Sequence, residues 1–219
     1  MRVDRSSKSL IIYDLDGTLV DSVEVVQLIL NGLREELGLL PLKRVDFFPW
    51  ISLGGEDLIK NSLELYEHKD VLHFLNMFRS RYFDLPTPQE TIFDGVFDCL
   101  KYLRDHKYRL AICTNKPRRL AEKVLRETGL NIFFDFINAG GDLPSKKPSK
   151  ENAQVCLDYF GATAQTALMV GDSSVDQQLA KAIGIPFVFY RHGYDDGISK
   201  DSIEYELKHH SDLIQFLDI

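Results

Sequence analysis

Three short apolar runs in this chain end on oxygen-bearing side chains, and that recurrence limits the folds open to it. Leu10-Ile11-Ile12-Tyr13 runs into Asp14-Leu15-Asp16. Residues 109–113, around Leu110-Ala111-Ile112, run into Thr114-Asn115. Residues 166–170 run into Gly171-Asp172, with Asp176 following. Two further runs, 133–137 and 186–190, have the same length and character. Short apolar runs without strict alternation suit strands buried on both faces of a parallel sheet.

Between the runs, the apolar spacing becomes that of helices. Phe97, Leu100 and Leu103 share a stripe after Asp94, a candidate N-cap. Leu120, Val124 and Leu125 follow Pro117, a residue favoured in a first turn. Ala153, Val155, Leu157 and Phe160 mark another helix. Leu179, Ala182 and Ile183 lead to Gly184, which suits a helix C-terminus. This alternation predicts a doubly wound, Rossmann-like α/β domain.

Residues 22–85 break the pattern and read as helical. Val26, Ile29, Leu30, Leu33 and Leu37 form a stripe stopped near Gly38 and Pro41. Leu58, Leu63 and Leu65 lie in a second segment. Leu72, Leu75, Met77, Phe78 and Tyr82 lie in a third, stopped by Pro86 and Pro88. The expected organisation is an α/β core, residues 1–20 and 88–219, with a helical cap domain, residues 21–87, inserted after the first strand. A length of 219 residues fits such an insertion better than two full domains.

A net charge of −7 argues against a nucleic-acid partner, which requires a basic face. It leaves a small anionic ligand open, because a few local cations and a metal can reverse the sign inside one pocket. No apolar run reaches membrane-spanning length, and residues 1–9 lack the apolar stretch of a secretory signal. Cys99, Cys113 and Cys156 show no metal-ligand spacing and read as buried thiols. A cytoplasmic protein, a monomer or a homodimer, is expected.

Ligands of an open parallel sheet bind beyond the carboxyl ends of its strands. A single Asp there is usually a turn former or helix cap. Here Asp14, Asp16, Asp172 and Asp176 converge on one edge, where they would repel one another without a cation. An oxygen-rich site of this kind suits Mg²⁺. One of the first pair could attack phosphorus, and the other could protonate the leaving oxygen and then deprotonate water. Thr114 offers a hydroxyl to a phosphoryl oxygen, and Lys147, ahead of Pro148, a fixed positive charge. Phosphoryl transfer is mostly positioning and charge neutralisation, so the inventory fits that reaction.

The same residues carry a family resemblance. Asp14-Leu15-Asp16-Gly17-Thr18-Leu19-Val20-Asp21-Ser22, Thr114-Asn115-Lys116-Pro117, Lys147-Pro148 and Gly171-Asp172-Ser173-Ser174-Val175-Asp176 stand in order. Together they resemble the four motifs of haloacid dehalogenase superfamily phosphatases, most nearly the phosphoglycolate phosphatase-like branch with a helical C1-type cap. The resemblance runs nearly end to end. It implies that Asp14 is the nucleophile and a metal ligand. Asp16 would be the acid/base, with its backbone carbonyl on the metal. Thr114 and Asn115 would bind the phosphoryl group, and Lys147 would neutralise it. Asp172 would hold Mg²⁺ directly, and Asp176 directly or through water, with Ser173 in the same loop. Lys146 competes with Lys147 for the site; Lys147 is preferred because it adjoins the proline. Lys150 stands where the family often has a second proline.

Residues 50–56, including Gly54 and Gly55, resemble the family's substrate-specificity loop and are candidate substrate contacts; a plain turn between cap helices is the alternative. Residues 191–194 resemble a loop bordering the site. Phe47, Phe48 and Trp50 read as packing within the cap, His209-His210 as a solvated helix start, and Asp195-Asp196 as surface. The expected reaction is hydrolysis of a small phosphorylated metabolite, phosphoglycolate first. A sugar phosphomutase shares the early chemistry, but Thr18 after Gly17 favours phosphatases. A non-catalytic regulator on this fold should lack a key carboxylate or the lysine, and none is missing.

Overall fold

The computed structural model describes residues 9–217. Six strands, β1 (Leu10–Tyr13), β2 (Arg109–Pro117), β3 (Phe136–Gly140), β4 (Ala167–Gly171), β5 (Phe187–Tyr190) and β6 (Tyr205–Leu207), form one sheet. Its order is β3-β2-β1-β4-β5-β6. All neighbours are parallel. Four helical segments, α1 (Val23–Glu36), α2 (Phe48–Ile51), α3 (Gly55–Ser62) and α4 (His68–Asp84), follow β1. The remaining helices are α5 (Val96–Asp105), α6 (Arg118–Thr128), α7 (Glu151–Phe160), α8 (Ser174–Ile183) and α9 (Asp212–Phe216).

The central strands are apolar throughout because both faces are covered. Ile11, Tyr13, Leu110, Ile112, Leu168 and Val170 face the side packed by α5, α6 and α9. Leu10, Ile12, Ala111, Cys113, Ala167 and Met169 face α7 and α8. The side-chain period of two divides each run between two cores. Each fully buried Leu or Ile contributes about 1.5–3 kcal/mol. The strand order reverses between β1 and β4, so a crevice opens beyond their carboxyl ends.

The insert packs partly on itself and partly on that crevice. α4 lies against α1 and α3, and it also reaches α6, while α3 touches β2. Val26, Ile29, Leu30 and Leu33 bury one face of α1, and Val71, Leu75, Phe78 and Tyr82 one face of α4. Leu37 and Leu72, counted in those stripes by spacing, face largely outward. Among the described residues, no helix is long and apolar enough to cross a membrane.

Several expectations shift. The third strand begins at Phe136; Phe133 closes a 3₁₀ turn, Leu130–Phe133. Gly95 takes the N-cap position of α5 in place of Asp94, which rotates the buried stripe to Val96, Cys99, Leu100 and Leu103 and leaves Phe97 exposed. Ala182 is likewise exposed on α8. β6 has no sequence signature: three residues, Tyr-Glu-Leu, pair along the sheet edge beside β5. His210 is not solvated. It is buried on the ring of Tyr190 at 4.3 Å, and burial pushes its pKa down to about 3, so it stays neutral.

Candidate active site

The carboxyl ends of β1 and β4 bring Asp14, Asp172 and Asp176 together. A carboxylate oxygen from each lies within 4.8 Å of the others, and all three side chains are buried. Lys147 enters the cluster from the loop before α7. Its Nζ stands 2.7 Å from Asp14 Oδ1 and 2.7 Å from Asp176 Oδ1. Lys146 turns away and reaches Asp57 and the Leu53 carbonyl in the insert. Lys147, not Lys146, therefore faces Asp14.

Each carboxylate is oriented by neighbours. Asp172 accepts from the Thr18 hydroxyl at 2.6 Å and from the Tyr194 N–H at 2.7 Å. Asp176 accepts from the Ser173 hydroxyl at 2.7 Å, part of a reciprocal cap at the start of α8. Gly17 permits this closeness. Its φ is +86°, and a Cβ there would lie 2.2 Å from Asp172 Oδ2. Among the described residues, no donor contacts Asp14 Oδ2.

The electrostatics are unbalanced. Three carboxylates surround one ammonium, so two negative charges lack compensation. Burial, offset in part by Lys147 and reinforced by Asp176, raises Asp14 to about 7. Burial and the charges of Asp14 and Asp176 hold Asp172 well above the ordinary carboxylate range. Burial alone would lower the pKa of Lys147, but Asp14 and Asp176 outweigh it and keep the amine charged. A hard divalent cation fits a buried, all-oxygen donor set carrying this excess charge.

Asp16 takes a different partner. The strand ends at Tyr13, and the carboxylate of Asp16 leaves the Asp14 cluster for Lys116 Nζ, 2.9 and 3.1 Å from its two oxygens. Lys116 in turn donates to the Tyr82 hydroxyl at 2.9 Å. Tyr82 belongs to α4, so the insert reaches Asp16 through one lysine. Thr114 is buried within β2, directly after Cys113 where the pairing with β3 becomes irregular, and accepts from the Lys116 N–H at 3.2 Å. Asn115 exchanges hydrogen bonds with the Lys147 backbone and donates to the Ser52 carbonyl at 3.0 Å.

Gly54 sits against Asn115. Its φ is +62°, and a Cβ there would touch the Asn115 carbonyl at 3.4 Å. Gly55 lines the same cavity, of about 370 Å³, and a Cβ there would meet open space. Residues 50–56 thus face the end of β2. Asp196 is not plain surface: it accepts from the Ser174 N–H and from the Ser52 hydroxyl, tying that loop to the start of α8. Phe47 is buried within the insert, while Phe48 packs on Tyr194.

Residues 11–190 match the haloacid dehalogenase-like hydrolase family. The chain belongs to the haloacid dehalogenase-like hydrolases. A phosphoglycolate phosphatase of Cupriavidus necator is 35% identical over 189 residues, 84% of this chain and 81% of the relative. One from Nitrosococcus oceani is 31% identical over 200 residues, 86% of each. The structure of a predicted phosphoglycolate phosphatase from Haemophilus somnus superposes with a TM-score of 0.86 at 24% identity, covering 96% of this chain and 98% of that one. That likeness extends the shared fold to 96% of this hydrolase.

Reasoning from the hydrolase's sequence missed Lys116, Tyr82, Thr18 and Tyr194 as parts of the site. Lys116 and Thr18 stood inside quoted motifs and could have been found there. Tyr82 read only as one more apolar position of α4. Tyr194 lay in a loop expected to border the site, with nothing to mark its N–H as the partner of Asp172.

Proposed function

We propose that this hydrolase cleaves a small phosphomonoester through an aspartyl-phosphate on Asp14, with Mg²⁺ held by Asp14, Asp172 and Asp176 and the Asp16 carbonyl. One observation carries the reading: Lys147 pins one oxygen of Asp14, while no donor among the described residues contacts the other. A carboxylate so held has one oxygen ready to attack phosphorus. Bound Mg²⁺ would supply neutralisation of the phosphoryl charge.

The chain's own groups complete the sequence. Lys147 favours the ionised form of Asp14 and orients it. The Thr114 hydroxyl and the Asn115 backbone N–H would hold the phosphoryl oxygens, since the Asn115 side-chain amide is engaged by Ser52 and the Lys147 backbone. Asp16 gives its proton to the departing alkoxide as the P–O bond breaks, then takes one from the water that attacks the phosphoenzyme. Lys116 keeps both oxygens of Asp16 directed. Residues 1–20 and 88–219 act as the catalytic core and 21–87 as a cap that selects the alcohol. The relatives' names make phosphoglycolate the first substrate. Three buried, free cysteines suit a reducing compartment, the cytoplasm.

The test is phosphate release from a panel of esters with and without Mg²⁺. Asp14→Asn should lose on the order of 10⁶-fold in rate, as nucleophile removal does elsewhere, and retain its circular dichroism spectrum. Unchanged release by the variant would remove Asp14 from the mechanism.

A further inference from the structure

Most cations around the cleft are matched to carboxylates, Arg119 rests on the Phe83 ring, and Arg79 in the seam has neither among the described residues. Lys147 and Lys116 face carboxylates, Lys146 is taken by Asp57, and Arg118 is held by Asp142 and Glu122. Arg79 has no carboxylate partner among the described residues, and its Nε is buried without a hydrogen bond. It lies on the face of α4 that carries Leu75 and Tyr82, four residues before and three after. A desolvated donor left unpaired is costly, and native structures seldom keep one without a use.

Arg79 stands where two cavities meet. The smaller, of about 370 Å³, is bounded by Leu53, Gly54, Asn115 and Lys146. The larger, of about 690 Å³, is bounded by Ser80, Phe83 and Arg119. Both share Arg79 with Pro117, Gly140 and Gly141. The acids on these walls do not answer it. Asp57 is engaged by Lys146, Glu56 stands 3.6 Å from His68, and Asp84 is exposed. Asn115 links the smaller cavity to Thr114, so an ester with its phosphoryl group over Asp14 would send its alcohol portion this way.

We propose that Arg79 binds an anionic group on the leaving alcohol, so that this hydrolase selects phosphomonoesters bearing a second negative charge, a carboxylate in first place. The inference rests on the phosphatase reading above. A planar guanidinium offers paired donors that match the two oxygens of a carboxylate, and the cavity's partial enclosure strengthens that contact. The residue acts by binding the substrate's tail and takes no part in bond breaking.

The test compares kcat/KM for 2-phosphoglycolate and for ethyl phosphate, which has the same two-carbon alcohol without the carboxylate. The wild type should favour the carboxylate. Arg79→Gln should lower that preference about 10–100-fold, mainly through KM, the range for a lost charge-assisted hydrogen bond. Arg79→Lys should restore part of it. An unchanged ratio in Arg79→Gln, or an equal loss on both esters, overturns the inference. Failure of the wild type to release phosphate from either ester with Mg²⁺ would instead overturn the phosphatase reading, and this inference with it.

Discussion

The two lysines of the cleft hold their aspartates in different ways. Lys147 lies between Asp14, directly after β1, and Asp176, in the first turn of α8 after β4. Lys116 holds Asp16 from the core but takes its third contact from Tyr82, in the insert. The first site is complete without α1 to α4. The second is complete only when α4 is seated. The difference separates two tasks: attack on phosphorus is fixed by the sheet, and proton delivery depends on the position of the insert.

Lys147→Met would break the first site most severely. It leaves Asp14 and Asp176 buried side by side without their cation. Loss of one partner from a buried ion pair costs about 3–5 kcal/mol, and loss of a preorganised charge at a phosphoryl group about 10²–10³-fold in kcat. Urea unfolding and steady-state assays measure the two effects. The rate loss should be the same for every ester, because nothing in this cluster comes from the insert. A loss that varied with the alcohol would contradict the separation.

A smaller effect follows from the charge on Asp14. Its pKa in the metal-free folded protein is raised to about 7 from an ordinary value of 3.8. Between those values the folded state holds a proton that the unfolded state has released. Stability therefore falls as pH rises through that window, and the whole cost is present above about 7. Asp14→Asn carries no such cost. Without metal, its Tm should gain on the wild type between pH 5 and pH 8, and Mg²⁺ should reverse the order by stabilising only the wild type. A constant Tm difference across this range would show that Asp14 is ionised throughout.

These contrasts also show what could be read in the sequence. The first site was legible because its members sit at fixed offsets from apolar runs: Asp14 directly after Tyr13, Asp172 directly after Gly171. A strand's end fixes where its next residue points, so linear order carries spatial information. The second site was legible only in Asp16. Tyr82 is 66 residues from Asp16 in sequence, and its position depends on how α4 packs across the cleft, which periodicity does not determine. Arg79 was invisible for the same reason. β6 and the burial of His210 were missed because neither three edge residues nor a histidine pair announces its tertiary neighbours.

Tyr82→Phe sharpens the comparison at its weakest point. The ring stays, along with its stacking beneath the Lys116 ammonium at 4.1 Å, and only the hydroxyl contact to Nζ is lost. Burial disfavours ionisation of this phenol, and Lys116 only partly offsets it, so the hydroxyl acts as a neutral acceptor. Removing one such bond is worth about 0.5–1.5 kcal/mol, or about 2–10-fold in kcat. Because Lys116 keeps both contacts to Asp16, the loss measures how far the insert steadies the proton carrier. It should be larger for a poor leaving alcohol, which needs the proton, than for p-nitrophenol, which departs without one. Equal losses on both would mean that Tyr82 serves only packing, and that α4 bears on the alcohol's binding without touching proton transfer.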